Sequence, residues 1–408
     1  MHYRSTRSLL SFLLATGLMT APMFGATTHK KRAVHTAAKP HSKTGAVART
    51  RSTSSSVRYT TAAYHPSSRT STRVSRVGLR RHVAFSPWTE PNYADSTAGD
   101  LVDGEDLMVR RAAVQALGPL NGSIVVTDPQ SGRILSIVNQ KLAYKSGFQP
   151  CSTIKLVAAL AGLNEGVIDR ESLQVSGHRL NLTDALARSD NSFFANVGNK
   201  LGYDRVTHYA KLMGLGEKAS TIDEEQAGRW PEQPPAASDG GVGMMTSFGL
   251  GILLTPLELA DLVSAIANGG TLYTLQHPRS QDEIAQFVPR VRRHLEVAPL
   301  IADIKPGMMG AVEFGTARRA TFDPNAPIFG KTGTCTDKNS PTHLGWFGSF
   351  NEVGTKKIVV VVLLTGANKV SGPVASGVAG AVYKNLEQED YFGLGTASVS
   401  LMSTACCR

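Results

Sequence analysis

The sequence predicts an α/β chain of the α+β type, in which a largely antiparallel sheet is flanked by helices and a helical subdomain occupies the middle. Three observations carry this. "SIVVTDPQSGRILSIVN", Ser123 to Asn139, places Val, Ile and Leu on either side of Asp-Pro and Ser-Gly punctuation, which gives two strands joined by a turn at Asp128 to Gly132. A long helical stretch follows. Late in the chain "KKIVVVVLLTG", Lys356 to Gly366, is a continuous apolar run suited to a strand buried on both faces, and "SGVAGAVYKNL" after it gives a last helix.

Between these ends, "PCSTIK" at 150 to 155 runs into "LVAALAGLNEG", which is rich in Ala and Leu and stops at Gly166. It reads as a helix with a Ser or Thr cap and a Gly stop. Further helical runs cover Leu182 to Leu201, Val206 to Met213 and Pro256 to Asn268, the last closed by Gly269 and Gly270. No internal repeat is visible.

The 408 residues allow two average domains or one large domain with appendages, and charge decides between them. Fifteen of the 43 Lys and Arg residues precede Glu90, the first carboxylate, which leaves 28 bases against all 32 acids. The body is therefore mildly acidic, and the +11 total belongs to the N-terminal segment. Arg4 and Arg7 followed by an uncharged apolar stretch from Ser8 to Ala26 have the order of an export signal. A cleaved signal and a retained anchor both stay open for residues 1–26, since no clear cleavage site follows and "HKKR" sits on the unexpected side of the apolar stretch. Residues 27–99 are basic and Ser/Thr-rich without apolar periodicity. Such a segment buries too little surface to offset its ordering entropy, so it reads as a disordered linker. Export removes nucleic acid as its partner and leaves anionic membrane or wall polymers, or a plain solvated spacer. The globular body then spans 100–390, and 391–408 is a tail containing Cys406 and Cys407.

Ser152 and Lys155 are three residues apart at a helix start, which puts both side chains on one face. There the amine can take the hydroxyl proton, and the helix N-terminus favours a developing oxyanion. To act as a base Lys155 must lose its charge near neutral pH, which burial and a neighbouring cation such as Lys331 could arrange. By itself the pair reads first as a capping serine followed by a surface lysine.

Two more triplets change that balance. "RSDNSFF" supplies Ser189 and Asn191, and "FGKTGTC" supplies Lys331, Thr332, Gly333 and Thr334, so Ser-x-x-Lys, Ser-x-Asn and Lys-Thr-Gly occur in that order. The surrounding blocks "GFQPCSTIKLVAALAGL", "NLTDALARSDNSFFANVGNKLG", "ILLTPLELADLVSAIANGG", "MMGAVEFGTARRA" and "IFGKTGTC" with "GWFGSF" run collinearly from about residue 110 to 388. Together they resemble the penicillin-binding protein transpeptidase domain of the serine D,D-peptidase and β-lactamase superfamily. The resemblance implies that Ser152 attacks a D-alanyl-D-alanine peptide bond with Lys155 as base. Ser189 would relay the proton to the leaving D-alanine, and Asn191 would hold the substrate amide. Lys331, Thr332 and Thr334 would bind the terminal carboxylate, Gly333 would let the substrate backbone lie close, and the amides of Ser152 and Thr334 would form the oxyanion hole. Peptidoglycan stem peptides and β-lactam antibiotics are the implied ligands, outside the cytoplasm, and no metal or organic cofactor is implied.

Cys151 and Cys335 stand where the catalytic helix meets the catalytic strand in that fold, and the pair resembles the bridge of certain class A β-lactamases; a Cys151–Cys335 disulfide is expected, the alternative being two small buried thiols. Two departures from the family are visible. The interval from Ser152 to Ser189 is short, so that wall of the cleft should be more open, and "HLGWF" displaces His343 by one position, so His343 receives no role. β-Lactamase action is a rival reading, but it needs a glutamate-held water; Glu224 and Glu225 are the candidates, and Gly228 and Arg229 stand where the associated Asn belongs. A third reading is a non-catalytic β-lactam sensor or scaffold.

Overall fold

The computed structural model describes residues 91–145, 147–171, 174–176, 178–336, 343–352, 354–367 and 369–393. The export-signal segment, the basic linker up to residue 90, and Cys406 and Cys407 lie outside the described residues. Among the described residues no helix is long and apolar enough to cross a membrane.

In chain order the elements are α1 (Leu107–Leu117), β1 (Gly122–Asp128), β2 (Arg133–Val138), α2 (Gln140–Ala143), α3 (Lys155–Asn164), β3 (Gln174–Ser176), β4 (His178–Leu180), α4 (Leu182–Arg188), α5 (Asn191–Leu201) and α6 (Tyr203–Leu212). They continue with α7 (Gly241–Phe248), α8 (Pro256–Ala267), β5 (Thr271–Thr274), α9 (Gln281–Ala285), β6 (Arg290–His294), α10 (Ile301–Glu313), β7 (Ile328–Thr336), β8 (His343–Asn351), β9 (Val359–Gly366) and α11 (Gly372–Gln388). The main sheet has the order β2-β1-β9-β8-β7, and every neighbouring pair is antiparallel.

β9 lies at the centre of this sheet, which explains its composition. Val359, Val361 and Leu363 point into one core, shared with α3, α5 and α8, while Val360, Val362 and Leu364 point into a second, shared with α1 and α11. Because side chains alternate along a strand, covering both faces requires apolar residues at every position. β1 divides in the same way, with Val125 on the first face and Ile124 and Val126 on the second.

The structure differs from the sequence expectations at several places. The single helix expected over Leu182 to Leu201 is two helices, because Ser189 takes a left-handed conformation (φ 58°) and the Asp190 carboxylate accepts from Phe193 N at 2.7 Å to start α5 afresh. The helix expected after Ser152 begins without a side-chain cap: Cys151–Ile154 is a 3₁₀ turn, and α3 starts at Lys155. Residues 91–99, expected in the linker, lie on the body, where Tyr93 bridges Leu120 and the Ser96 hydroxyl donates to Leu120 O at 2.9 Å. Tyr391 and Phe392, expected in the tail, are buried in the second core.

Leu363→Ala should lower the unfolding free energy by about 2–5 kcal/mol, the usual cost of a cavity at a fully buried leucine, read from urea denaturation; a loss under ~1 kcal/mol would contradict the packing of that face.

Candidate active site

The chain enters the site through a strained corner. Cys151 is fully buried and has φ 52°, a left-handed conformation that costs a non-glycine residue about 1–3 kcal/mol. Several contacts hold it there. Cys151 is joined to Cys335 of β7 by a disulfide, with the Cα atoms 5.5 Å apart. The Trp346 indole donates to Gln149 O at 2.9 Å, and the Thr153 hydroxyl donates to Pro150 O at 2.7 Å. A Cβ on Gly333 would lie 2.8 Å from Pro150 O and 3.2 Å from Thr153 Cγ2, so β7 can lie this close only with glycine at that position. The close approach that glycine permits is therefore to the protein's own corner; the sequence had suggested the substrate backbone.

Beyond the corner, Ser152 is half-buried and Lys155 is sealed from solvent. The Lys155 amine lies 3.0 Å from Ser152 Oγ, 3.1 Å from Ser189 Oγ, 2.7 Å from Ser189 O and 2.6 Å from Asn191 Oδ1. Lys331, also sealed, reaches Ser189 Oγ at 2.8 Å and Thr332 O at 3.0 Å. One serine hydroxyl thus sits between two amines. Burial pushes the Lys155 amine down to about 7, against the opposing pull of the Asp190 carboxylate. Lys331 is pushed well below the usual lysine range, by burial first and by the charge of Lys155 second.

Ser152, Lys155, Ser189, Asn191 and Lys331 are brought into direct contact. Thr332 is not among them. Its hydroxyl lies 2.6 Å from the Thr316 hydroxyl, on the face of β7 opposite Lys331, and it is nearly buried, so the expected carboxylate contact by its side chain does not fit its placement. Thr334 shares that face but is exposed; its hydroxyl accepts from Gly372 N at 2.8 Å and keeps a hydrogen to donate outward. His343 lies at the far end of β8, opposite Thr336. Glu225 is buried and accepts from Ala219 N, Ser220 N and the Ser220 hydroxyl, whereas Glu224 is exposed.

Three contributors carried no motif of their own. Asp190 both caps α5 and adds negative potential at Lys155. Trp346 fixes Gln149 O. Thr316 links the two halves of the site, since its N–H donates to Ala187 O at 3.1 Å while its hydroxyl meets Thr332. Asp190 could have been read from its place between Ser189 and Asn191; the other two act through tertiary contacts.

A family model described as the penicillin-binding protein transpeptidase domain matches residues 122–386. The chain belongs to that family. Stage V sporulation protein D of Bacillus subtilis is 25% identical over 311 residues, which cover 66% of this chain and 48% of that protein. Peptidoglycan D,D-transpeptidase PbpA of Mycolicibacterium smegmatis is 25% identical over 324 residues, covering 63% of this chain and 65% of that one. The chain thus spans about half to two thirds of the length of these relatives. In fold, the transpeptidase domain is similar to PBPA from Mycobacterium tuberculosis, with a TM-score of 0.58 at 22% identity over 69% of this chain and 81% of that one. It is also similar to the D,D-transpeptidase domain of a peptidoglycan glycosyltransferase from Eggerthella lenta, with a TM-score of 0.55 at 19% identity over 70% and 82%.

The Cys151–Cys335 bond closes a loop of 184 residues in the transpeptidase domain. Replacing both cysteines by serine should cost about 2–5 kcal/mol of unfolding free energy, mostly through the freer unfolded chain. Denaturant titration with and without reductant checks this, and coincident curves would contradict it.

Proposed function

We propose that the protein is a serine D,D-transpeptidase or D,D-carboxypeptidase, acting on D-alanyl-D-alanine stem peptides of peptidoglycan outside the cytoplasm and acylated by β-lactams. The observation that carries this reading is the Ser189 hydroxyl held 3.1 Å from Lys155 and 2.8 Å from Lys331, with the Lys155 amine 3.0 Å from Ser152 Oγ.

The steps follow from that geometry. Neutral Lys155 takes the Ser152 proton as Oγ attacks the carbonyl of the penultimate D-alanine. Backbone amides of Ser152 and Thr334 stabilise the oxyanion. As the peptide C–N bond breaks, the proton passes from Lys155 through Ser189 Oγ to the departing amine, leaving an ester on Ser152. Asn191 accepts from Lys155 through Oδ1, which leaves its amide hydrogens for a substrate carbonyl. Thr334 donates its hydroxyl to the terminal carboxylate, and Lys331 contributes charge from behind Ser189; an arriving carboxylate favours its protonated form.

Hydrolytic β-lactamase action is the weaker reading. Clearing the acyl-enzyme by that route needs a carboxylate free to hold a water, and the acceptor oxygens of Glu225 are taken by Ala219 and Ser220.

Benzylpenicillin should add to the full-length protein as a stable adduct seen by intact mass and should not add to Ser152→Ala; an equal adduct on both would sink the assignment. The acylation rate should fall about tenfold per pH unit below the Lys155 value of about 7 and level off above it, because only the neutral amine accepts the proton. A flat profile from pH 5 to 9 would remove Lys155 as the base.

A further inference from the structure

Ser189 Oγ lies between Lys155 and Lys331 only if the end of α4 keeps a fixed distance from β7. The sheet does not set that distance, because β7 is its edge strand and pairs with β8 alone. The disulfide and Gly333 hold the corner before Ser152 on β7, which is a different segment. What spans the gap to α4 is the pair Gly315 and Thr316, between α10 and β7. Thr316 N donates to Ala187 O at 3.1 Å, and the Thr316 hydroxyl lies 3.4 Å from the same oxygen and 2.6 Å from the Thr332 hydroxyl. With Thr332 donating to Thr316 and Thr316 to Ala187 O, each hydroxyl donates once, and β7 is joined to the last turn of α4.

The packing makes this tie rigid. Ala187 is fully buried and stands two residues before Ser189, whose N–H donates back to Leu186 O at 3.2 Å, so a shift of the Ala187 carbonyl is passed on to Ser189. A Cβ on Gly315 would lie 2.1 Å from Ala187 O and 2.7 Å from its carbonyl carbon, so the backbone there presses on α4 as closely as a glycine allows. α10 adds to the seat, since a Cβ on Gly307 would lie 2.6 Å from Leu186 Cβ. Thr332 is nearly buried, and loss of its partner on Thr316 would strand a hydroxyl away from water.

We propose that Thr316 is a positioning residue for the proton relay: with Thr332 as its anchor on β7, it sets the place of Ser189 Oγ between the two amines. The proposal rests on the D,D-peptidase reading of Ser152. In that reaction the bond from Ser152 Oγ to the acyl carbon forms and the peptide C–N bond breaks. The proton taken by Lys155 passes to Ser189 Oγ, and the proton of Ser189 goes to the departing nitrogen. Nitrogen leaves only as it is protonated, whereas a thiol, with a pKa of about 8.5, leaves as the thiolate. A displaced relay therefore hinders the peptide and spares a thioester of the same acyl group, and a defect in Ser152, Lys155 or folding hinders both alike.

The test measures kcat/KM of the full-length protein for an acyl-D-alanyl-D-alanine peptide and for its thioester, in which sulfur replaces the nitrogen of the last residue and the carboxylate is kept. The ratio of the two values cancels any change in folded fraction. Ser189→Ala should lower the peptide-to-thioester ratio most. Thr316→Val, which keeps the shape and removes the hydroxyl, should lower it about tenfold, short of the ~10²-fold that a misplacement of about 1 Å costs. Thr316→Ser should restore most of the loss, and Gly315→Ala should lower the ratio in the same direction. An unchanged ratio in T316V, an equal fall with both substrates, or no recovery in T316S would overturn the role. An unchanged ratio in S189A would remove the relay and the role with it. No acylation of the wild type by either substrate would sink the reading of Ser152 itself, on which the role rests.

Discussion

Two lysine amines buried against one serine hydroxyl are the constraint on which the rest of this structure depends. Burying an ammonium without a paired carboxylate is costly, and a site that buries two is stable only if at least one of them gives up its proton. The fold enforces that condition. Lys155 comes from the start of α3 and Lys331 from β7, and Ser189 stands between them because a left-handed residue separates α4 from α5. The cost of burying the two amines is what lowers the Lys155 amine to about 7, so that its free-base form is available near neutral pH.

The same logic explains why so much covalent and steric machinery surrounds a single corner. A left-handed cysteine before Ser152, a disulfide, an indole hydrogen bond and a glycine pressed on a proline carbonyl all act on residues 149–153. Each restrains the 3₁₀ turn against β7, so Ser152 is aimed by the strand as much as by its own helix. Strain of this kind persists only where neighbouring packing over-determines it.

Much of this was legible in the sequence, and for physical reasons. The hairpin before the site and the unbroken apolar run of β9 follow from period-two patterning under one or two covered faces. The residues that touch one another around Ser152 were legible through three short motifs. Other features were not. The divide at Ser189 was hidden because Leu182 to Leu201 has helical composition throughout, and only the local competition of the Asp190 side chain for Phe193 N interrupts it. The outward turn of Thr332 could have been foreseen, since neighbours on a strand face opposite sides and Lys331 already claims the inner one. Gly333 and Thr316 stood within recognisable blocks, but what each contacts, Pro150 O and the Thr332 hydroxyl, follows from elements that meet only in three dimensions.

Ser189 and Lys331 lie 142 residues apart, and Cys151 and Cys335 lie 184 apart, yet each pair shares a bond. A nascent chain that has emerged only as far as α8 carries Ser152, Lys155 and Ser189 but lacks the strand that seals them. The contact of Ser189 with Lys331 and the Cys151–Cys335 bond can form only once β7 has joined the sheet, so the arrangement of the site is completed by the C-terminal strands.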